Sequence, residues 1–104
     1  MPIKRYEILL PLNYNDGREV EPEKFKQTRR ELLKRFGALS FETVPIHGFW
    51  TKGERTFEDI LVRIVIDVQE SPNTRRFFQT YKEKLKKRFK QLEIWMMAYP
   101  IEII

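Results

Sequence analysis

Hydrophobic and polar residues alternate along two long segments of the chain, and a period of two is typical of half-buried β-strands. In residues 3–12 the even-numbered positions from Tyr6 to Leu12 are apolar. Residues 56–69 show a stronger pattern, because one set of alternate positions is entirely apolar: Ile60, Val62, Ile64, Ile66 and Val68. We therefore predict a strand over each segment.

Two other segments follow the 3.6-residue spacing of amphipathic helices. Residues 22–36 begin with Pro22, which suits a first helical turn, and precede Gly37, which suits the left-handed position that ends a helix. The second helix is predicted to begin after Ser71, a good N-cap, with Pro72 in its first turn. The predicted buried stripes are Phe25, Thr28, Leu32 and Phe36 in the first helix, and Phe77, Phe78, Tyr81, Leu85 and Phe89 in the second.

The remaining segments complete the order of elements. A strand is predicted from about residue 38 to 49, a turn at 51–55, and a last strand from Leu92 to the end. Strand–helix–strand–strand–helix–strand (βαββαβ) is the ferredoxin-like arrangement, an antiparallel sheet in the order 4-1-3-2 with both helices on one face. Pro45 and Pro100 then fall in edge strands, where a missing donor is tolerated. We expect a single α+β domain over all 104 residues.

Composition limits the chemistry open to the chain. There is no cysteine, which excludes disulfides, thiolate catalysis and cysteine metal sites. No phosphate-cradling glycine loop, nucleophile elbow or metal-ligand spacing is found, so we expect neither a cofactor nor a metal. No apolar run approaches the roughly 18 residues of a membrane span. The short run after Lys4 and Arg5 indicates a strand and not a signal peptide, and we expect a cytoplasmic protein.

The net charge of +5 is concentrated in one segment. Residues 72–90 contain eight basic residues and one acidic residue, a sum of +7, so the rest of the chain sums to −2. A basic helix can neutralise phosphates and bind nucleic acid in a salt-dependent manner. The candidate residues are Arg75, Arg76, Lys82, Lys86, Lys87 and Lys90. The alternative is a solvated face whose charge suits the C-terminal end of a helix.

Three connections are predicted to lie at one end of the sheet, in residues 13–18, 47–55 and 90–93, and together they form a polar pole. Asp16 and His47 are its candidate catalytic residues. The candidate ligand-binding residues are Asn13, Asn15, Trp50, Arg55 and Gln91. The alternative is structural, with side-chain turns in the first loop, a structural histidine, and an aromatic residue that packs at the strand end.

The last strand is apolar on both faces. Its two alternating sets are Ile94, Met96 and Ala98, and Trp95, Met97, Tyr99 and Ile101. Whichever set faces the helices, the other is left on the opposite side of the sheet, and an exposed apolar patch usually marks a partner surface. We expect a homodimer whose interface contains Leu9, Arg63, Val65, Trp95, Met97 and Tyr99. The alternative is a single apolar edge or a locally bulged strand.

The chain resembles a group of small bacterial proteins of unknown function in three segments, "LPLNYNDGREV", "FGALSFETVPIHGFW" and "YKEKLKKRFKQLEIWM". The group combines an Asp-Gly loop after the first strand, a Gly-x-Trp step before the hairpin, and a Tyr…Phe-x-Gln stretch that enters the last strand. The matching positions are Asp16, Gly17, Gly48, Trp50, Tyr81, Phe89 and Gln91. The resemblance covers most of the chain and implies the ferredoxin-like fold, and it carries no established activity.

Three functional hypotheses follow. The first is a homo-oligomeric binding module without catalysis, whose ligand is anionic, with nucleic acid as one candidate. The second is a small enzyme with its site at the polar pole, either a metal-assisted nuclease or a cofactor-poor dimeric enzyme of ferredoxin-like fold. The third is a purely structural subunit of a larger assembly.

Overall fold

The structure, a computed structural model, describes residues 2–104 and contains six elements in the predicted order. They are β1 (Ile3–Pro11), α1 (Pro22–Phe36), β2 (Ser40–Lys52), β3 (Arg55–Gln69), α2 (Pro72–Arg88) and β4 (Trp95–Ile101). The strands form one antiparallel sheet in the order β2-β3-β1-β4. The predicted ferredoxin-like fold and its strand order are confirmed.

The core lies between the helices and one face of the sheet. Tyr6, Ile8 and Leu10 alternate along β1 on that face and are at most 2% exposed. Leu32 of α1 and Leu85 of α2 are fully buried in the same cluster. Residues that pair across antiparallel strands share a face of the sheet. The register of β1 with β3 therefore shows which residues of these two central strands face the core.

The two helices begin and end at residues that the sequence marks. The Gly37 backbone has φ 82°, and its N–H donates to Leu33 O at 2.8 Å, which closes α1. Ser71 Oγ accepts from the Thr74 backbone N–H at 3.1 Å, which caps α2. The predicted N-cap is confirmed.

Replacing Ser71 with alanine is expected to lower the free energy of unfolding by about 1 kcal/mol, because an N–H of the first turn of α2 loses its acceptor. Urea denaturation followed by circular dichroism measures the change. Ser40→Ala is the matched control, since Ser40 is exposed at the start of β2. Equal losses in the two variants would show that the cap contributes nothing specific.

Several predicted boundaries are wrong. The turn predicted at 51–55 is only two residues long, Gly53 and Glu54, because both strands of the hairpin continue to it. The last strand begins at Trp95 and not at Leu92, and it ends at Ile101 and not at the end of the chain. Lys90 adopts φ 54° after the end of α2, and the residues that follow it cross from the helix to the sheet edge before pairing begins.

The opposite side of the sheet, hereafter the open face, carries no helix. Tyr6 pairs with Ala98 and Ile8 with Met96, so these two β4 residues face the helices. The alternate residues of β4 therefore lie on the open face. The open face includes Ile3, Arg5, Glu7 and Leu9 from β1, Leu61, Arg63, Val65 and Asp67 from β3, Trp95, Met97, Tyr99 and Ile101 from β4, and Ser40, Glu42 and Ile46 from β2. All six residues predicted for the dimer interface lie on it.

The hairpin of β2 and β3 extends beyond the rest of the sheet. Pro11, at the end of β1, pairs with Leu61, and the Leu12 backbone N–H donates to Ile60 O at 2.9 Å; beyond this point the two hairpin strands pair only with each other. Residues 47–60 form this hairpin arm, and the molecule measures 45 Å along its longest axis. Phe49 is 66% exposed on the arm. A bulge between Glu42 and Ile46, which includes Pro45, precedes the arm on the edge strand β2.

Candidate functional site

The loop after β1 is a folded turn stabilised by its own side chains. Asn13 Nδ2 donates to Gly17 O at 3.2 Å, and Gly17 has φ 90°. Asp16 accepts from the Arg18 backbone N–H at 3.0 Å and from Arg18 Nε at 2.7 Å. These hydrogen bonds hold the pKa of Asp16 below its ordinary value. Asn13 and Asp16 thus both make turn-forming bonds, and Asn15 is exposed between them.

Tyr14 anchors this loop to the body of the protein, which the sequence analysis did not recognise. Its side chain is buried, and its hydroxyl donates to the Glu21 carboxylate and accepts from the Lys24 ammonium. Three cations surround its ring: Arg18 at 5.1 Å, Lys24 at 4.8 Å and Lys90 at 5.1 Å from the centroid. An aromatic residue among turn-formers was the only sequence signal of this role.

His47 and Trp50 lie on opposite faces of the hairpin arm, because they are an odd number of residues apart on one strand. His47 Nδ1 lies 2.7 Å from Glu58 Oε1. Trp50 Nε1 donates to Asp59 Oδ2 at 2.8 Å, and its ring stacks on Phe57 with centroids 4.3 Å apart. Each of the two predicted site residues therefore has a partner across the hairpin.

The remaining pole residues are also engaged locally. The Arg55 guanidinium lies 5.1 Å from the ring centroid of Phe57, and Gln91 Nε2 donates to Phe89 O at 3.1 Å. The three connections do lie at one end of the sheet. Within residues 2–104, however, no hydrogen bond or ion pair joins Asp16, His47 and Gln91 to one another. In the same range, no three His, Cys, Asp or Glu side chains come together as a metal site.

The basic side of α2 is largely compensated by neighbouring polar groups. Four of the six nucleic-acid candidates have such partners: Arg75 with Glu70 at 2.8 Å, Arg76 with Asn73 at 3.4 Å, Lys82 with Glu93 at 2.9 Å and Lys86 with Glu83 at 3.2 Å. Lys90 lies over the Tyr14 ring. In the part of the chain that the structure describes, two candidates have neither a carboxylate nor a ring beside them: Lys87, and Arg76, whose partner is the neutral amide of Asn73. The free positive charge is smaller than the sequence suggests.

A charged cluster occupies the centre of the open face. The Glu7 side chain is buried, accepts from the Tyr99 hydroxyl at 2.7 Å and lies 3.4 Å from Arg63 Nη1. The hydrogen bond to Glu7 raises the pKa of Tyr99. Arg63 Nε is buried and lies 3.5 Å from Glu42 Oε2, but it lacks the alignment of a hydrogen bond and has no other partner.

The rest of the open face is an ion pair and a set of apolar side chains. Arg5 binds Asp67 through two hydrogen bonds, 2.8 Å from Nε to Oδ1 and 3.0 Å from Nη2 to Oδ2, and this hydrogen bonding is the largest cause of the lowered pKa of Asp67. Leu9 and Met97 flank the charges, and Trp95 is 64% exposed. The charges of the face are thus neutralised internally, while its largest apolar side chain meets water.

No family model and no curated protein matches the chain. Solved structures do. A phage SAM lyase in complex with S-methyl-5′-thioadenosine matches with a TM-score of 0.72 and 20% identity, over 95% of this chain and 81% of the other. CutA1 from Oryza sativa matches with 0.66 and 13%, over 98% and 82%. The GlnK–ATP complex of B. subtilis matches with 0.59 and 19%, over 96% and 82%.

These likenesses establish the fold. Because the sequence identities are low, these structures do not test the resemblance to the bacterial group of unknown function, which stays a prediction. Within residues 2–104, no helix is both long and apolar enough to cross a membrane.

Proposed function

We propose that this protein is a homo-oligomeric binding module, assembled through the open face of its sheet, which binds a small anionic ligand and has no catalytic centre. The simplest assembly is a dimer. The observation that carries the proposal is the composition of the open face: an exposed tryptophan and other apolar side chains surround charges that are already paired.

Assembly on this face is favoured by its energetics. Covering Trp95 and Met97 with a second copy removes apolar area from water, at about 25 cal/mol per Å². The usual opposing cost, desolvation of charges, is reduced because Glu7 is already buried and Arg5 is already bound to Asp67.

The ligand part of the proposal is supported by the positive net charge and by the neighbours in fold. Two of the similar structures hold adenosine derivatives: ATP, which is an anion, in one, and S-methyl-5′-thioadenosine, which has no acidic group, in the other. A nucleotide is therefore the first class of anion to test. Nucleic acid is supported less well, since most of the α2 cations are compensated.

The enzyme hypothesis has less support than the binding module. Asp16 forms a turn with Arg18, and His47 pairs with Glu58 on the far side of the arm from Trp50. A general acid–base pair needs side chains that converge on one reacting atom. Asp16 is instead bound within its own loop and His47 is bound on the hairpin arm.

The assembly is tested by sedimentation velocity at micromolar to millimolar concentrations. The wild-type protein is expected to sediment as a multiple of the 12.7 kDa chain. Trp95→Glu is expected to shift it to the single-chain mass, because a charge without a partner would be buried in the interface. Leu92→Glu is the control: Leu92 is 93% exposed and lies outside the open face, so this variant should remain assembled.

Two outcomes would contradict the assembly. One is a wild-type protein of single-chain mass at the highest concentration. The other is an oligomer that tolerates Trp95→Glu but dissociates in Leu92→Glu, which would move the interface to the segment between α2 and β4.

A further inference from the structure

A cleft of about 460 Å³ opens between the loop after β1, the first turns of α1 and the bulged part of β2. Its size falls within the range of roughly 300–1,000 Å³ found for small-molecule sites. It is separate from the open face, because α1 covers the other side of the sheet. Asn13 is the only one of its lining residues that was predicted from the sequence to bind a ligand.

The floor of the cleft is apolar and fixed. Val20, Phe25 and Val62 line it, and each is at most 8% exposed because it also belongs to the core cluster. Phe41, a half-buried residue on β2, completes this floor with a second aromatic ring. Such a surface can pack against a flat ring without rearrangement of the core.

One side of the cleft is positively charged. The Arg29 guanidinium lies 4.5 Å from the ring centroid of Phe41, and no carboxylate in residues 2–104 lies within 4 Å of it. Lys26 lies beside it on the same helix, and its carboxylate partner is the exposed Glu23 at 3.4 Å. The guanidinium stacked on the ring keeps donors free at the cleft, and a guanidinium binds carboxylate, sulfonate or phosphate oxygens in pairs.

The other side can accept hydrogen bonds. Glu19 lines the cleft from the loop, and Asn13 uses its amide nitrogen to hold Gly17 O, which leaves its amide oxygen as an acceptor. The two sides therefore differ in polarity, with donors on α1 and acceptors on the loop. A ligand that fits both has an acidic group at one end and an N–H or O–H group at the other.

We propose that this cleft is a binding site for a small planar aromatic anion, with the ring on Phe25 and Phe41 and the acidic group on Arg29 and Lys26. The inference rests on the ligand part of the proposed function and is independent of the assembly. It specifies where that ligand binds and that the ligand is planar and aromatic.

The test uses 8-anilinonaphthalene-1-sulfonate as the probe, because it combines flat aromatic rings with one sulfonate, the two groups that the apolar floor and the cation side of the cleft would bind. Fluorescence titrations are made in the Trp95→Glu background, so that binding to the open face does not contribute. Arg29→Glu is expected to weaken binding about tenfold or more, the size expected for loss of a charge-assisted hydrogen bond. Arg30→Glu makes the same charge change at an exposed position that does not line the cleft, and it should retain the affinity.

A second pair of variants tests the shape without changing charge. Thr43 is exposed and lines the cleft, so Thr43→Trp should fill it and weaken binding about tenfold. Val44, its neighbour on the bulge, is 78% exposed and does not line the cleft, so Val44→Trp should bind as the parent does.

The outcomes separate the inference from the proposed function. Binding that falls in Arg29→Glu and Thr43→Trp but not in the two controls supports the cleft. Binding unchanged by both lining variants, or weakened equally by Arg30→Glu, overturns the cleft and leaves an anion-binding module with its site elsewhere. If neither the probe nor ATP binds the Trp95→Glu parent, both the cleft and the ligand part of the proposed function are wrong.

Discussion

Replacing Phe78 with alanine is expected to lower the free energy of unfolding by about 4 kcal/mol, which is a large share of the roughly 5–15 kcal/mol that stabilises a domain of this size. Phe78 is 1% exposed at the centre of the core. Its ring stacks on Tyr6 with centroids 3.9 Å apart and on Phe36 at 5.2 Å. Truncation leaves a cavity between the sheet and the two helices, and the packed elements around it cannot easily move to fill it.

Urea denaturation of wild type and Phe78→Ala measures this loss. Phe49→Ala removes the same atoms from the hairpin arm, where the ring is mostly exposed, and it should cost less than about 1 kcal/mol. The prediction fails if the two variants lose the same stability. A two-state transition in both proteins is needed for the comparison, and coincident fluorescence and circular dichroism curves check it.

Replacing Arg88 with methionine is expected to lower the free energy of unfolding by about 3 kcal/mol, because it removes one partner of a mostly buried ion pair. Its side chain is 8% exposed and joins α2 to α1. One guanidinium nitrogen donates to Thr28 Oγ1 at 2.8 Å, and another lies 2.9 Å from Glu31 Oε1. The Tyr81 hydroxyl also donates to Glu31, at 2.8 Å.

This contribution depends on pH. Burial alone would raise the pKa of Glu31, but hydrogen bonds from Tyr81 and Arg88 outweigh it and place the pKa below its ordinary value of 4.5. A carboxylate with a lowered pKa stabilises the folded state above its unfolded pKa, and this contribution disappears as the pH falls through the folded value. The stability difference between wild type and Arg88→Met should therefore narrow as the pH falls from about 5 to about 3.

Lys87→Met provides the matched control, since it removes one positive charge from the next residue, which is exposed. Its stability should remain within about 0.5 kcal/mol of wild type at pH 7. Unfolding free energies measured at several pH values decide the outcome. A difference between wild type and Arg88→Met that stays constant from neutral to acidic pH would show that Glu31 is not the partner concerned.

The fold could be predicted because each element carries a local signal. Alternation marks β1 and β3, and Pro22, Gly37 and Ser71 mark helix ends whose conformations these residues favour. The start of β4 could not be predicted in the same way. It depends on Lys90, a residue without special preference for positive φ, which is held over Tyr14 by tertiary contact.

The candidate sites were harder to predict because they depend on distances between elements. The strand register agrees with the prediction that the three connections lie at one end of the sheet. The sequence does not show that His47 and Trp50 lie on opposite faces of the hairpin arm or that Arg18 binds Asp16. Arg88 was counted only as one of the eight basic residues of the segment 72–90. Its position three residues after the buried Leu85 was a sequence signal for its inward direction. The cation side of the cleft had no such signal, since Arg29 and Lys26 resemble any other basic residues of α1.

The unpaired edges of the two outer strands, β2 and β4, affect how readily the protein can aggregate. An unpaired strand edge can add further chains one after another and so begin a fibril. Here the β2 edge is broken by the bulge at Pro45, and the β4 edge lacks the N–H of Pro100. Both outer edges therefore discourage growth of the sheet by edge addition.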